Sequence, residues 1–178
     1  MKKLTITFLA TIAFFSAQAQ VHYAIISGKI ENPAAGEKVR IYDAVTSKSA
    51  YLEVNADGTF RDTLHLKTPT TYSGSYDKFF TLYLENGMDV YVTFDAKNLK
   101  STLNYEGKGS LENKFLLQKE KVSSSLFNEE YKVLFALDKA TFTGRLDKYN
   151  QEVVTLMEAN KGKVSADFIE SQKKGVEE

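Results

Sequence analysis

The sequence predicts a mainly β protein with a helical C-terminal part: an antiparallel β-sandwich of seven to eight strands, then two to three α-helices. Two observations carry that expectation. From about Ala24 to Glu106, short runs rich in Val, Ile, Thr, Tyr and Phe are separated by turn residues. After Gly107-Lys108-Gly109, the apolar spacing changes to a helical period. The expected division is a leader over 1–19, a sandwich over 20–107 and a helical segment over 108–178.

Lys2 and Lys3 precede an apolar run, 4–15, that ends at Ser16-Ala17-Gln18-Ala19-Gln20. Ala17 and Ala19 supply the small side chains a signal peptidase accepts, so cleavage is expected after Ala19. About twelve apolar residues are too few for a bilayer that needs roughly 20. No second stretch approaches that length, and without cysteine there is no site for a lipoprotein anchor. Removing the leader takes away two positive charges from a balance of 23 basic and 23 acidic residues. An exported, soluble protein of the periplasm or cell envelope is expected, with no feature that suggests a nucleic-acid partner.

Strands are expected over residues 24–31, 38–42, 49–54, 59–66, 70–76, 79–84, 89–94 and 102–105. Val39 and Ile41 share one face; so do Val90, Val92 and Phe94, opposite Asp89, Tyr91 and Thr93. Phe60, Leu84, Val90 and Val92 are expected in the core. Asn55-Ala56-Asp57-Gly58 and Asn86-Gly87 read as hairpin turns, and Pro33 falls in a loop. Leu111, Phe115, Val122, Leu126 and Val133 form one helical stripe, with Ser110 as N-cap. Phe142, Leu146, Tyr149, Val153 and Leu156 form a second stripe, stopped by Gly162. A third segment begins near Ser165, with Phe168 and Ile169 as apolar contacts. Antiparallel packing within the chain is favoured over a coiled coil, which needs more sustained heptads.

Chemistry is sparse. Without cysteine there is no thiolate nucleophile, redox dithiol or zinc–thiolate site, and two histidines cannot build a multi-histidine centre. Glu53-x-Asn55-x-Asp57-Gly58 resembles the start of a calcium loop, but Leu64 stands where the bidentate carboxylate belongs. His65 is expected on a strand surface and His22 in a lead-in. No cofactor is implied. The aromatic cluster Tyr72, Tyr76, Phe79 and Phe80, with Tyr83, has two readings. It is either an exposed platform for a sugar or partner, or core filling, which strand aromatics usually provide.

The order of several motifs adds a resemblance. Ile26-Ser-Gly-Lys-Ile30-Glu31 is followed by Gly36-Glu-Lys-Val-Arg-Ile-Tyr42 and Val54-Asn-Ala-Asp-Gly58-Thr-Phe60. Then come Phe80-Thr-Leu-Tyr-Leu84-Glu-Asn-Gly87-x-x-Val90-x-Val92 and Gly107-Lys-Gly-Ser-Leu-Glu-Asn113. Together these resemble the N-terminal β-sandwich domain (domain of unknown function 4369) of exported TlpA-like thiol–disulfide oxidoreductases. The resemblance spans residues 24–115, and beyond that only helical character. It implies a sandwich and helical linker preceding a thioredoxin-fold module with Cys-x-x-Cys. That module is not in this chain, which reads as an excised N-terminal region, a truncated product or a stand-alone relative. The implied role is an accessory domain, partnered by a thioredoxin-like module or envelope proteins. The alternative is a stand-alone module binding a glycan, peptide or envelope protein.

Overall fold

The computed structural model describes residues 22–177; the expected leader lies outside them. Eight strands form two four-stranded sheets. They are β1 (Ala24–Glu31), β2 (Lys38–Asp43), β3 (Lys48–Glu53), β4 (Thr59–Leu64), β5 (Thr70–Tyr76), β6 (Lys78–Leu84), β7 (Asp89–Asp95) and β8 (Asn104–Lys108). One sheet has the order β4-β1-β7-β8, the other β3-β2-β5-β6. The pairs are antiparallel except β1 with β7, which run parallel in the register Ile26 to Val90. The intervening chain visits the other sheet between them, so β7 arrives beside β1 by a crossover rather than a hairpin.

That crossover corrects the reading of both turns. Residues 55–58 connect β3 to β4, and Asn86-Gly87 connects β6 to β7, and each connection passes from one sheet to the other. They are corners of the sandwich, not hairpins. At the first corner Asn55 N–H donates to Thr59 O at 2.8 Å and Gly58 has φ 85°. The Asp57 carboxylate accepts from Thr59 N–H at 2.9 Å and Thr59 Oγ1 at 2.7 Å, so turn bonds occupy it.

The inward residues of both sheets build the core. Phe60, Leu84, Val90 and Val92 are all buried, as the alternation predicts, with Ile26, Val39, Ile41 and Leu52. The last strand is displaced from its expected position. Residues 99–102 wind into a short helix, α1 (Leu99–Thr102), whose Leu99 is buried, and β8 begins only at Asn104.

Four further helices follow: α2 (Ser110–Leu126), α3 (Tyr131–Phe135), α4 (Lys139–Asn160) and α5 (Ala166–Glu177). The expected single stripe from Leu111 to Val133 is broken. Phe127 leaves the helix with φ −134° and packs against Phe142 and Tyr149 of α4, at ring separations of 6.4 and 6.2 Å. Leu111 and Val133 are exposed, and the buried face of α2 is Glu112, Asn113, Phe115 and Leu116. Gly109, not Ser110, occupies the N-cap position. Gly162, just past the end of α4, has φ 76°, the left-handed conformation of a helix stop. Phe168 of α5 is fully buried, edge-on to Tyr83 at 4.7 Å and to Phe115 at 5.2 Å. The helices and the sandwich thus share one apolar core.

Candidate functional site: the open edge of the sandwich

An edge strand offers unpaired backbone groups, and folds commonly cover or blunt such edges. This sandwich treats its two edges differently. On one side β6 and β8 are the outermost strands. The Asn113 side chain meets the outer backbone of β6 like a further strand: Tyr83 N–H donates to Asn113 Oδ1 at 2.7 Å, and Asn113 Nδ2 donates to Tyr83 O at 2.9 Å. Tyr105 of β8 donates its hydroxyl to Thr81 O at 2.5 Å, linking the two sheets across the same edge. Glu112 accepts from Ser165 N–H at 3.0 Å, and Ser165 Oγ donates to Glu85 at 3.1 Å, which fixes the start of α5 against this side. Side chains and helices cover this edge over residues 81–84, while toward Phe79 it stays exposed.

On the other side β3 and β4 are outermost, and each has a single strand partner. Between them lies a cleft of about 370 Å³. Ile41, Ala50, Leu64, Leu66 and Tyr72 provide apolar walls, while Asp43, Thr46, Lys48, Asp62, His65 and Lys67 supply the polar groups. Asp43 sits at the end of β2, where its carboxylate organises the turn into β3. It accepts from Val45 N–H at 2.9 Å and from Thr46 Oγ1 at 2.7 Å. The Thr46 hydroxyl bond, with the turn amides and Lys67, holds the Asp43 carboxyl below its usual pKa. Burial, with the Asp43 charge, pushes the Tyr72 phenol up to about 12. His65 is exposed and lies edge-on to Tyr23 at 6.2 Å. Asp43 and Tyr72 both move away from neutrality, one down and one up. A proton-transfer pair needs the opposite; fixed charge and a neutral phenol suit recognition.

The four aromatic residues singled out in the sequence do not form one surface. Tyr72 is 6% exposed and reaches only the cleft. Tyr76 is buried against Phe94, and Ala34 N–H donates to its hydroxyl at 2.7 Å. Phe80 is buried, also against Phe94. Phe79 is 67% exposed and lies with Leu99, Leu103 and Leu117 in a different concavity of about 300 Å³. Phe80 also reaches that concavity, but Tyr72, Tyr76 and Phe80 lie on the inward face of their strands and only Phe79 on the outward one, so the four do not form a continuous exposed platform. A hairpin at residues 55–58 would pair β3 with β4 in one sheet and leave no cleft between them, so the turn signal hides this site. Its one sequence signal was the polar cluster on either side of Leu64 and Leu66.

No family model matches the chain, and no curated protein matches it. Among solved structures, a candidate cell adhesion protein from Bacteroides ovatus ATCC 8483 aligns at 11% identity with a TM-score of 0.31. The alignment covers 49% of this chain and 43% of that one, so this chain spans less than half the length of that protein.

Proposed function

We propose that this protein is an exported, non-catalytic interaction domain of the cell envelope. In this reading it is an accessory sandwich of the type that precedes the thioredoxin-fold module in TlpA-like oxidoreductases, and it meets its partner at the open β3–β4 edge. The observation that carries the reading is the asymmetry of the two edges. Over residues 81–83 the β6–β8 edge is covered by Asn113, Tyr105 and the helical layer, whereas β3 and β4 keep their outer backbone groups along their length beside a polar-rimmed cleft. Unpaired edges accept a partner's extended segment readily. Thiol–disulfide exchange needs an attacking thiolate, which a chain without cysteine cannot supply, so any redox step belongs to the partner.

The test is a titration of the isotopically labelled protein with a TlpA-like thioredoxin-fold module, followed through backbone amide resonances. Shifts gathered at residues 43–50 and 62–67 support the reading. Shifts confined to α4 and α5, or none at all, refute it. A second reading, a stand-alone glycan- or peptide-binding module, is favoured by the size of the cleft and by the Tyr72 ring among hydrogen-bonding groups. Saturable shifts at the same residues with an oligosaccharide or peptide, but not with the module, would select it.

A further inference from the structure

A separate cavity of about 350 Å³ opens where α2, α4 and α5 meet the β5–β6 pair. Lys119 of α2 stands in its wall and donates from Nζ to Oε1 of Gln172 at 2.9 Å. That partner is neutral, and Gln172 is itself buried. Among the described residues Lys119 forms no ion pair. Lys119 is half-buried, and a cation partly withdrawn from water without an ion-pair partner is destabilised, so burial lowers its pKa. Two of its three N–H donors remain unspent after the bond to Gln172.

The surroundings extend the same pattern. Thr71 of β5, Thr81 of β6, Ser123 of α2 and Tyr149 of α4 line the cavity. Their hydroxyl groups form no hydrogen bond with another described residue. Burial raises the Tyr149 pKa, so the phenol keeps its proton and remains a donor. The exposed Glu120 carboxylate also borders the cavity and opposes any anion, so a ligand is held only where Lys119 and the hydroxyl groups outweigh it.

We propose that this cavity is a binding site for a small oxyanion, a carboxylate or a phosphate, held by Lys119 and the hydroxyl groups around it. An oxyanion supplies an ion-pair partner for Lys119 and acceptors for hydroxyl groups that no described residue engages, through charge-assisted bonds. The site shares no residue with the open-edge cleft, so the two proposals stand or fall separately.

The experiment titrates the full chain, labelled at its lysine ε-positions, with acetate and separately with inorganic phosphate. Chloride at the same ionic strength is the control. The Lys119 signal is expected to shift saturably with at least one oxyanion and not with chloride. Response to phosphate alone assigns a phosphate ligand, response to acetate alone a carboxylate, and response to both the shared oxyanion chemistry. Lys119→Met keeps the apolar stem and is expected to weaken binding roughly tenfold or more, whereas Lys121→Met on the same helix leaves it unchanged. Should Lys119→Met fail to fold, the unmodified chain still decides. No saturable shift at Lys119, or equal shifts at all surface lysines, overturns the site, as does undiminished binding by a folded Lys119→Met.

Discussion

Asn113 is fully buried, yet its side chain accepts from Tyr83 N–H and donates to Tyr83 O and Gly109 O. Replacing it with Ala strands two backbone groups of β6 away from water. At about 1–3 kcal/mol for each unsatisfied group, Asn113→Ala is expected to cost roughly 2–6 kcal/mol in urea unfolding. A change near zero would mean that water replaces the amide and that this edge is less tightly closed than described. Phe60→Ala, which empties a packed position, is expected to cost about 3–5 kcal/mol by the same measurement. At the cleft, Thr46→Val removes the main cause of the lowered Asp43 pKa, so that pKa should rise toward its ordinary value. The sign for stability follows: a carboxyl depressed in the folded state stabilises above its unfolded pKa and loses that contribution as pH falls through its folded value. The stability gap between the native protein and Thr46→Val should therefore be present at neutral pH and shrink below about pH 4. Carboxyl resonances followed against pH, with unfolding curves at each end, check both statements.

Gly58 makes the corner between β3 and β4 possible. Its φ is 85°, and a Cβ there would lie 2.1 Å from Ile30 O, a backbone atom that cannot swing aside. Gly36 has a similar φ of 76° but nothing within 4 Å of an added Cβ. Gly58→Ala is thus expected to lower the thermal midpoint well beyond Gly36→Ala, which bears backbone strain alone, about 1–3 kcal/mol. Equal midpoints would place the corner elsewhere. Corners also mark where sequence reading stopped. The alternation of Val39 with Ile41, and of Val90 with Val92, set the buried faces correctly, because burial on a strand depends on a local period. Asn-Gly and Asp-Gly signal that the chain reverses, but not whether the next strand joins the same sheet. That depends on long-range packing. The stripe from Leu111 to Val133 failed for a related reason. Its rule counts apolar residues, whereas α2 buries Asn113 to bond the edge of β6 and Glu112 to accept from the start of α5. The motif Gly107-Lys-Gly-Ser-Leu-Glu-Asn113 contains both residues, but their role rests on tertiary hydrogen bonds that no local period shows.

At the scale of the whole molecule, Phe168, Phe115 and Tyr83 bind the last helix into the core of the sandwich, so the helical segment forms a docked layer on the covered edge. The consequence is a molecule with one partly covered edge and one open one. Among the described residues no helix is long and apolar enough to cross a membrane. Export is the first requirement of the proposed role, and mass spectrometry of protein from the host envelope should find an N-terminus at Gln20; an intact Met1 in the cytoplasm would contradict it. The central claim concerns the open edge, and site-specific photo-crosslinking in living cells tests it most directly. A photoreactive residue is placed at exposed Tyr51 on β3, and in a parallel strain at exposed Val154 on α4. A discrete adduct with an envelope protein is predicted from position 51 and none from position 154. Adducts from 154 alone, or from neither position, would contradict it.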